Sequence, residues 1–298
     1  MLRHSPPSPS LFDRLMGAGG VMTESRARDI SLSWGDGMID LALPRPNLGS
    51  LLLVEQDKRE FRGVLLRMVA DELVAGRPVH WIDGGMGFDP SPLLPLLRIR
   101  GCFDKTALRR FHICRGFTAH QTAAIIARLA DEASASDPPN RLSAGRLIIT
   151  SNLARMFMDT QLKRAEGRSL LRGALTDLRR LSSASESLLI ITSRRHSSPP
   201  MSKDLRALLI SQVDDRLSVI PAGRGSHRRG ISSMRLHLAS VDRSITWARL
   251  PQGQTSLLDF RHIHASRHVC IDEPPLIISS FQPKGESRAL AARMASGV

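Results

Sequence analysis

The fold class of this chain is decided by residues 51–63, LLLVEQDKREFRG, and by the two elements that follow them. The run LLLV has the length and apolar composition of a buried strand. From Phe61 onward, apolar side chains recur at helical spacing as far as Leu73. A second apolar run, VHWI at residues 79–82, comes next. The order of strand, helix and strand predicts a unit of a parallel sheet with a crossover helix.

The same alternation continues along the chain. Further strands are predicted at Arg110–Cys114, Arg146–Thr150 and Leu188–Thr192, and helices at Arg62–Ala75, His120–Ala133 and Ser169–Leu181. The strands are apolar throughout, which is typical of a parallel sheet covered on both faces. After residue 194 the pattern changes to short strands joined by polar turns, at Arg216–Pro221, Met234–Ser240 and Ile245–Leu250. We therefore predict an α/β fold with a mostly parallel sheet flanked by helices and antiparallel strands at its C-terminal side.

Composition predicts one core domain with two flanking segments. Residues 1–40 are rich in Pro, Ser and Gly and are expected to be disordered or loosely ordered. The core is predicted at residues 41–258, and an irregular tail at residues 259–298. No apolar run approaches the ~20 residues of a membrane span. The Cys content is 3, which argues against a disulfide framework and favours a reducing compartment such as the cytoplasm.

The chain is strongly basic, with a formal net charge of +14 and a pI of about 11.2. Such a charge favours polyanionic partners, and nucleic acid is the most obvious one. The basic residues are 37 Arg and 5 Lys, spread along the chain, and this skew could instead reflect genomic base composition. The absence of Tyr removes one of the usual base-stacking residues.

The segment between the first strand and helix lacks the chemistry of a phosphate-binding loop. Such a loop needs small residues around the phosphate oxygens, a Lys for the terminal phosphates and a hydroxyl for magnesium. In the best register, Gln56 and Phe61 take the two glycine places, Arg62 the lysine place and Gly63 the hydroxyl place. We therefore predict a degenerate nucleotide site at this loop.

Five motifs, in order, carry a resemblance to a known family. They are WIDGGMGFDP at 81–90, HICRGFTAHQ at 112–121, LIITSNL at 147–153, the segment 155–171 and IITSR at 190–194. From about residue 48 to residue 258, this set resembles the core of the RecA/RadA/Rad51 recombinase family. The resemblance implies a RecA-like fold of the P-loop NTPase type, with DNA-binding loops after the fourth and fifth strands.

The departures from that family concern the residues of phosphoryl transfer. The catalytic Glu of the family falls at Gly85, and the Asp of the fourth strand falls at Thr150. Neither residue supplies a base or a carboxylate. Asp83 is retained, and we interpret it as a turn residue at a strand end rather than as a metal ligand. With the phosphate loop also lost, we expect a protein without ATPase activity and without a cofactor.

The expected DNA-binding residues fall in three groups. The resemblance assigns Lys163, Arg164 and Arg168 to the first loop and Arg194 and Arg195 to the second. A basic turn between predicted strands adds Arg228 and Arg229. Arg and Lys on loops can neutralise phosphates without reading bases. The alternative interpretation is that each group is a solvated charged loop with no partner.

One further cluster has the residue types of a zinc site, namely His262, His264, His268 and Cys270. On a continuous strand these residues would share one face, but they would spread over about 27 Å at ~3.3 Å per residue. Zinc requires ligands that converge on one point. We therefore interpret the cluster as a His-rich surface strand and expect no metal.

The functional hypothesis is a catalytically inactive RecA/RadA-like paralogue in DNA recombination or repair. It would bind DNA, in particular single-stranded DNA, through basic loops, or assist an active recombinase, in the cytoplasm and on the nucleoid. One alternative is a protein-interaction subunit that has a RecA-like fold and no nucleic-acid role. A weaker alternative is a protein that binds ATP through a nonstandard loop, with Arg62 as the anion contact.

Overall fold

The computed structural model describes residues 31–57, 61–85, 87–102, 106–135, 145–196, 201–222 and 232–249. Several sequence predictions lie outside these residues: those for residues 1–30, Arg228, Arg229, the C-terminal tail and the His-rich cluster.

The described elements alternate between strand and helix as far as residue 194. The strands are β1 (Leu51–Gln56), β2 (Val79–Asp83), β3 (Phe111–Arg115), β4 (Leu147–Ser151), β5 (Leu188–Arg194), β6 (Asp215–Pro221), β7 (Ser232–Leu238) and β8 (Arg243–Arg249). The helices are α1 (Gly37–Ala42), α2 (Arg62–Val74), α3 (Leu93–Ile99), α4 (Thr106–Arg109), α5 (Ala119–Ser134), α6 (Leu153–Met156), α7 (Arg164–Ser185) and α8 (Lys203–Ser211). Each of the eight predicted strands corresponds to an observed strand with ends shifted by at most two residues.

The strands form one mixed sheet in the order β3-β2-β4-β5-β1-β6-β7-β8. The pairs from β3 to β6 are parallel, whereas β6 with β7 and β7 with β8 are antiparallel. The prediction of a mostly parallel α/β sheet with antiparallel strands at the C-terminal side is therefore confirmed. The carboxyl ends of the parallel strands lie at one edge of the sheet, which we call the carboxyl edge.

The core is divided by the sheet into two apolar layers. Alternate residues of β1 point to opposite faces, as a strand requires. Leu52 and Val54 join the layer that contains α2, while Leu51 and Leu53 join the layer that contains α5 and α7. All six residues of β1 are buried because the strand pairs on both sides and is covered on both faces. Among the described helices, none has both the length and the apolar composition that crossing a bilayer requires.

Residues 31–40, which we expected to be loosely ordered, instead pack against the core. Trp34 is fully buried, and its indole Nε1 donates to the carbonyl of Pro44 at 3.0 Å. Asp36 caps α1 and also accepts from the indole of Trp247 on β8 at 3.1 Å. The prediction was wrong here because the Gly and Ser residues around Trp34 form a capped turn, which has no periodic apolar pattern.

Helix α7 begins five residues before its predicted start at Ser169. Arg164 and Arg168 therefore lie on its first two turns rather than on a loop. The early start depends on Gly167, where a Cβ would lie 2.4 Å from the carbonyl oxygen of Phe157. The absence of a side chain lets the first turn of α7 pack directly on the preceding backbone.

Candidate functional site

The loop between β1 and α2 is closed by its own side chains. The Gln56 side-chain oxygen Oε1 accepts a hydrogen bond from the backbone N–H of Phe61 at 2.9 Å. In a phosphate loop, such N–H groups are the ones that donate to phosphate oxygens. Phe61 itself is fully buried and packs edge-on against Trp34, with 6.0 Å between the ring centroids. The two residues at the glycine places therefore complete the core instead of surrounding an anion.

Arg62, which stands where a phosphate loop has its Lys, points toward the loop that follows β2. The Arg62 guanidinium carbon lies 5.6 Å from the ring centroid of Phe88, and its Nη2 donates to the carbonyl of Asp89. Gly63 lies on the first turn of α2, where an added Cβ would find no neighbour within 4 Å. The start of α2 is thus tied to the turn that follows β2.

Asp83, at the end of β2, organises that turn. Its carboxylate accepts from the backbone N–H groups of Gly85 at 3.3 Å and Phe88 at 3.0 Å, and from the Ser151 hydroxyl at 2.9 Å. It also forms an ion pair with the Arg115 guanidinium, at 3.2 Å from Oδ2 to Nε. The side chain is 1% exposed. Both oxygens are engaged with the protein, so this carboxylate holds the turn together.

The position expected for the family's catalytic Glu has no room for a side chain. A Cβ on Gly85 would lie 2.9 Å from Nδ2 and 3.0 Å from Cβ of Asn152. Asn152 follows β4 and has a left-handed backbone, with φ of 50°. The β2 turn and the end of β4 are therefore in direct contact.

Thr150 and Ser151, at the end of β4, point to opposite faces of the sheet. Side chains alternate along β4, and Ile148 and Thr150 point to the layer of α5 and α7, whereas Ile149 and Ser151 point to the layer of α2. Ser151 is the residue that reaches Asp83 and also accepts from the Trp81 indole at 3.1 Å. Thr150, the residue to which the resemblance assigns the Asp of the fourth strand, therefore points away from Asp83.

A small cleft remains between these groups. Its lining consists of Gln56, Arg62, Leu65, Trp81, Asp83, Gly87, Phe88, Ser151, Asn152, Thr192 and Arg194. Its volume is about 40 Å³, whereas small-molecule pockets are commonly ~300 Å³ or more. Among the described residues, the cleft is therefore small compared with a typical ligand pocket.

The connections that follow β4 and β5 carry the predicted basic residues Lys163, Arg194 and Arg195. These strands are neighbours in the sheet, and the backbone N–H of Arg195 donates to the carbonyl of Gln56 at 3.0 Å. Lys163 is exposed, Arg194 and Arg195 are half-buried, and in the described part of the chain no carboxylate forms an ion pair with any of them. The structure therefore brings these three predicted residues to one edge.

Two other predicted cations are already paired. Arg164 contacts the carboxylate of Asp204 on α8, and Arg168 lies 3.8 Å from the same carboxylate. The hydrogen bond from Arg164 lowers the pKa of Asp204 from 3.8 to about 2. This pairing joins the start of α7 to the start of α8, across 40 residues of sequence, and sequence reasoning did not find it.

The third predicted group begins at the same edge. Strand β6 is parallel to β1, so its end at Pro221 reaches the carboxyl edge, and the Ala222 N–H donates to the Ser233 carbonyl as the chain returns. Arg228 and Arg229 belong to this connection but lie outside the described residues.

A further residue at this edge was missed. Phe117 follows β3 and is 65% exposed. Two signals were available in the sequence: an aromatic residue in a chain that has few, and a helix-capping Thr118 directly after it.

Within the ranges that the structure describes, no three His, Cys, Asp or Glu side chains lie close enough together to hold a metal ion. A scan against protein-family models found no match to this chain. A comparison with curated proteins found no match either.

Proposed function

We propose that this chain is a catalytically inactive RecA/RadA-like paralogue that acts in DNA recombination or repair. It binds single-stranded DNA through the connections at the carboxyl edge and assists an active recombinase, which supplies the chemistry. The carrying observation is that Lys163, Arg194 and Arg195 form no ion pair with a carboxylate of the described residues, at the edge where Gln56 and Phe61 fill the loop after β1.

The filled loop supports the absence of ATP hydrolysis. Phosphoryl transfer depends on a phosphate cradle, a positioned base and a metal ion. In this chain Phe61 occupies the cradle, Gly85 offers no base, and Asp83 is fully used by the turn. Three separate parts of the machinery are thus replaced by internal contacts.

The neighbouring cations support DNA binding. Guanidinium and ammonium groups bind phosphates with an affinity that falls with salt, because counterions are released. Neighbouring strands β4 and β5 deliver Lys163, Arg194 and Arg195 to the same edge, which is the arrangement that a chain of phosphates can follow.

The test is fluorescence anisotropy of labelled single-stranded DNA across a salt series, without nucleotide. The variant is Lys163→Ala/Arg194→Ala/Arg195→Ala. We expect wild-type affinity to fall with salt, at a log–log slope of ~0.7 per phosphate contact, and the variant to flatten this slope by up to ~2 units. Thermal stability with and without millimolar Mg-ATP is measured in parallel, and we expect no shift.

A matched control removes charge at the opposite edge of the sheet. Arg109 and Arg243 are exposed and lie at the amino ends of β3 and β8. The Arg109→Ala/Arg243→Ala variant should keep the wild-type slope. Wild-type protein that does not bind DNA at moderate salt, or a control that loses as much affinity as the triple variant, would contradict the proposal.

A second candidate, a protein-docking subunit, is favoured by one observation. Strand β3 pairs only with β2 among the described strands, and its Ile113 is 42% exposed. Edge strands with exposed apolar residues are sites where other chains add a strand. This candidate predicts that Ile113→Lys abolishes binding to a partner protein while the salt slope on DNA stays at the wild-type value.

A further inference from the structure

Phe117 is an aromatic side chain placed in water at the carboxyl edge. It is 65% exposed, whereas Phe61 is fully buried and Phe88 is 8% exposed. A ring in this position gives up most of the hydrophobic stabilisation that burial would supply. The residues beside the ring therefore decide what it could bind.

The backbone on both sides of Phe117 is held in place. Its N–H donates to the Gln121 side chain at 3.0 Å, and the Thr118 hydroxyl accepts from the Gln121 N–H at 3.1 Å as the cap of α5. The preceding Gly116 fits closely against Thr122, because a Cβ there would lie 2.4 Å from the Thr122 hydroxyl oxygen. The ring is thus presented on a fixed turn, which reduces the entropy lost when a partner binds.

The same turn is joined to the basic start of α7. The His120 imidazole, three residues after Phe117, lies 3.1 Å from the Glu166 carboxylate. Glu166 is on the first turn of α7, which follows directly after Lys163. Arg115, two residues before Phe117, is 40% exposed at the end of β3. The turn that carries Phe117 therefore lies between the end of β3, where Arg115 pairs with Asp83, and the start of α7, which Lys163 caps.

We propose that Phe117 is a stacking platform for a base of single-stranded DNA, with Lys163 at the start of α7 holding an adjoining phosphate. This inference rests on the proposed DNA-binding function and adds the source of its preference for single strands. An aromatic face beside a basic groove is the recurring design of proteins that bind single strands without reading sequence. Bases in a duplex are stacked on each other and cannot reach the ring.

The test compares Phe117→Ala, Phe117→Leu and Phe117→Trp with wild type by anisotropy. The probes are a labelled oligothymidine, an abasic deoxyribose-phosphate oligomer of the same length and a duplex. We expect Phe117→Ala and Phe117→Leu to weaken oligothymidine binding about 5- to 150-fold, the equivalent of the ~1–3 kcal/mol of one stacked base. Phe117→Trp should keep the affinity, and its added indole should be quenched by the bases.

Stacking and phosphate contact are separable in the same experiment. The salt slope should be unchanged in all three variants, and affinity for the abasic oligomer and the duplex should match wild type. The control Leu41→Ala removes another exposed apolar side chain, 74% exposed, on α1, whose cap contacts β8 at the other end of the strand order from β3. It should bind like wild type.

Each outcome has one meaning. If wild type binds oligothymidine and Phe117→Ala binds it equally well, the stacking inference is overturned while the proposed function stands. If Phe117→Leu retains full affinity, the contact is apolar packing and the inference is also overturned. If wild type binds none of the probes, the proposed function itself fails.

Discussion

The carboxyl edge of the sheet has two halves, and they satisfy their polar groups in opposite ways. Around β1 and β2, Gln56 accepts the loop N–H, Asp83 accepts from the turn, and Arg62 lies over Phe88. Around β4 and β5, Lys163 and Arg194 face solvent or a shallow cleft without a carboxylate partner among the described residues. One half therefore satisfies its polar groups within the chain, whereas the other leaves cations without an ion pair to any described carboxylate.

The largest expected effect concerns Phe61, in the half of the carboxyl edge around β1 and β2. Phe61→Ala removes a fully buried ring that packs on Trp34, and we expect the free energy of unfolding to fall by about 3–5 kcal/mol. Urea denaturation measures this change. Phe117→Ala removes the same side chain at an exposed position and should change stability by no more than ~0.5 kcal/mol. Equal losses in the two variants would contradict the assignment of Phe61 to the core.

The next effect concerns the Asp83 carboxylate, which lies in the half of the carboxyl edge around β1 and β2. Asp83→Asn keeps the shape but removes the charge that faces Arg115 and the turn N–H groups, and we expect a loss of about 2–3 kcal/mol in urea denaturation. The control is Asp89→Asn, six residues on, where the exposed side chain accepts hydrogen bonds from Ser91 and little change is expected. An Asp83→Asn protein as stable as wild type would show that this carboxylate is available for another ligand.

A smaller effect tests the contact between Gly85 and Asn152. Gly85→Ala places a Cβ about 3 Å from the Asn152 side chain, and we expect a loss of about 1–2 kcal/mol. Asn152→Gly in the same chain should restore most of this stability, because Gly accepts the left-handed backbone that residue 152 adopts. A double-mutant cycle measures the coupling, and simple additivity would mean that the two residues do not meet.

The smallest expected effect concerns the half of the carboxyl edge around β4 and β5. Asp204→Asn removes the carboxylate that competes for Arg164 and Arg168, so affinity for single-stranded DNA should rise about 1.5- to 5-fold at low salt. Anisotropy measures it, and the gain should vanish in an Arg164→Ala/Arg168→Ala background. Weaker binding of Asp204→Asn would instead assign Asp204 the role of positioning those arginines for DNA.

The same carboxylate has a defined pH dependence. Its pKa in the folded chain is lowered to about 2 from 3.8, so its contact with Arg164 stabilises the folded state above pH ~4. That contribution is lost as the pH falls from about 4 to 2. The melting temperatures of wild type and Asp204→Asn should therefore differ at pH 5 and converge near pH 2. A difference that persists at pH 2 would contradict the ion pair.

The strands could be predicted because burial on both faces requires apolar residues at every position, as in Leu51–Val54. Contacts between residues that are far apart in the sequence could not be predicted. Arg206 contacts the buried Glu55 at 2.9 Å, and no local pattern links residues 151 positions apart. The bulk of Phe61 could be read from the sequence as incompatible with a glycine place of a phosphate loop, but its packing against Trp34 could not, because the two residues are far apart in sequence.

The central position of β1 has a consequence for how the chain is made. Residue 51 pairs with residue 189, and residue 52 with residue 215. A ribosome adds ~5–20 residues per second, so the most apolar strand waits on the order of 10–30 s before either neighbour emerges. During that interval the LLLV strand has no strand paired with either of its edges, which favours aggregation. We therefore expect the nascent N-terminal half to be the stage of synthesis most prone to aggregation.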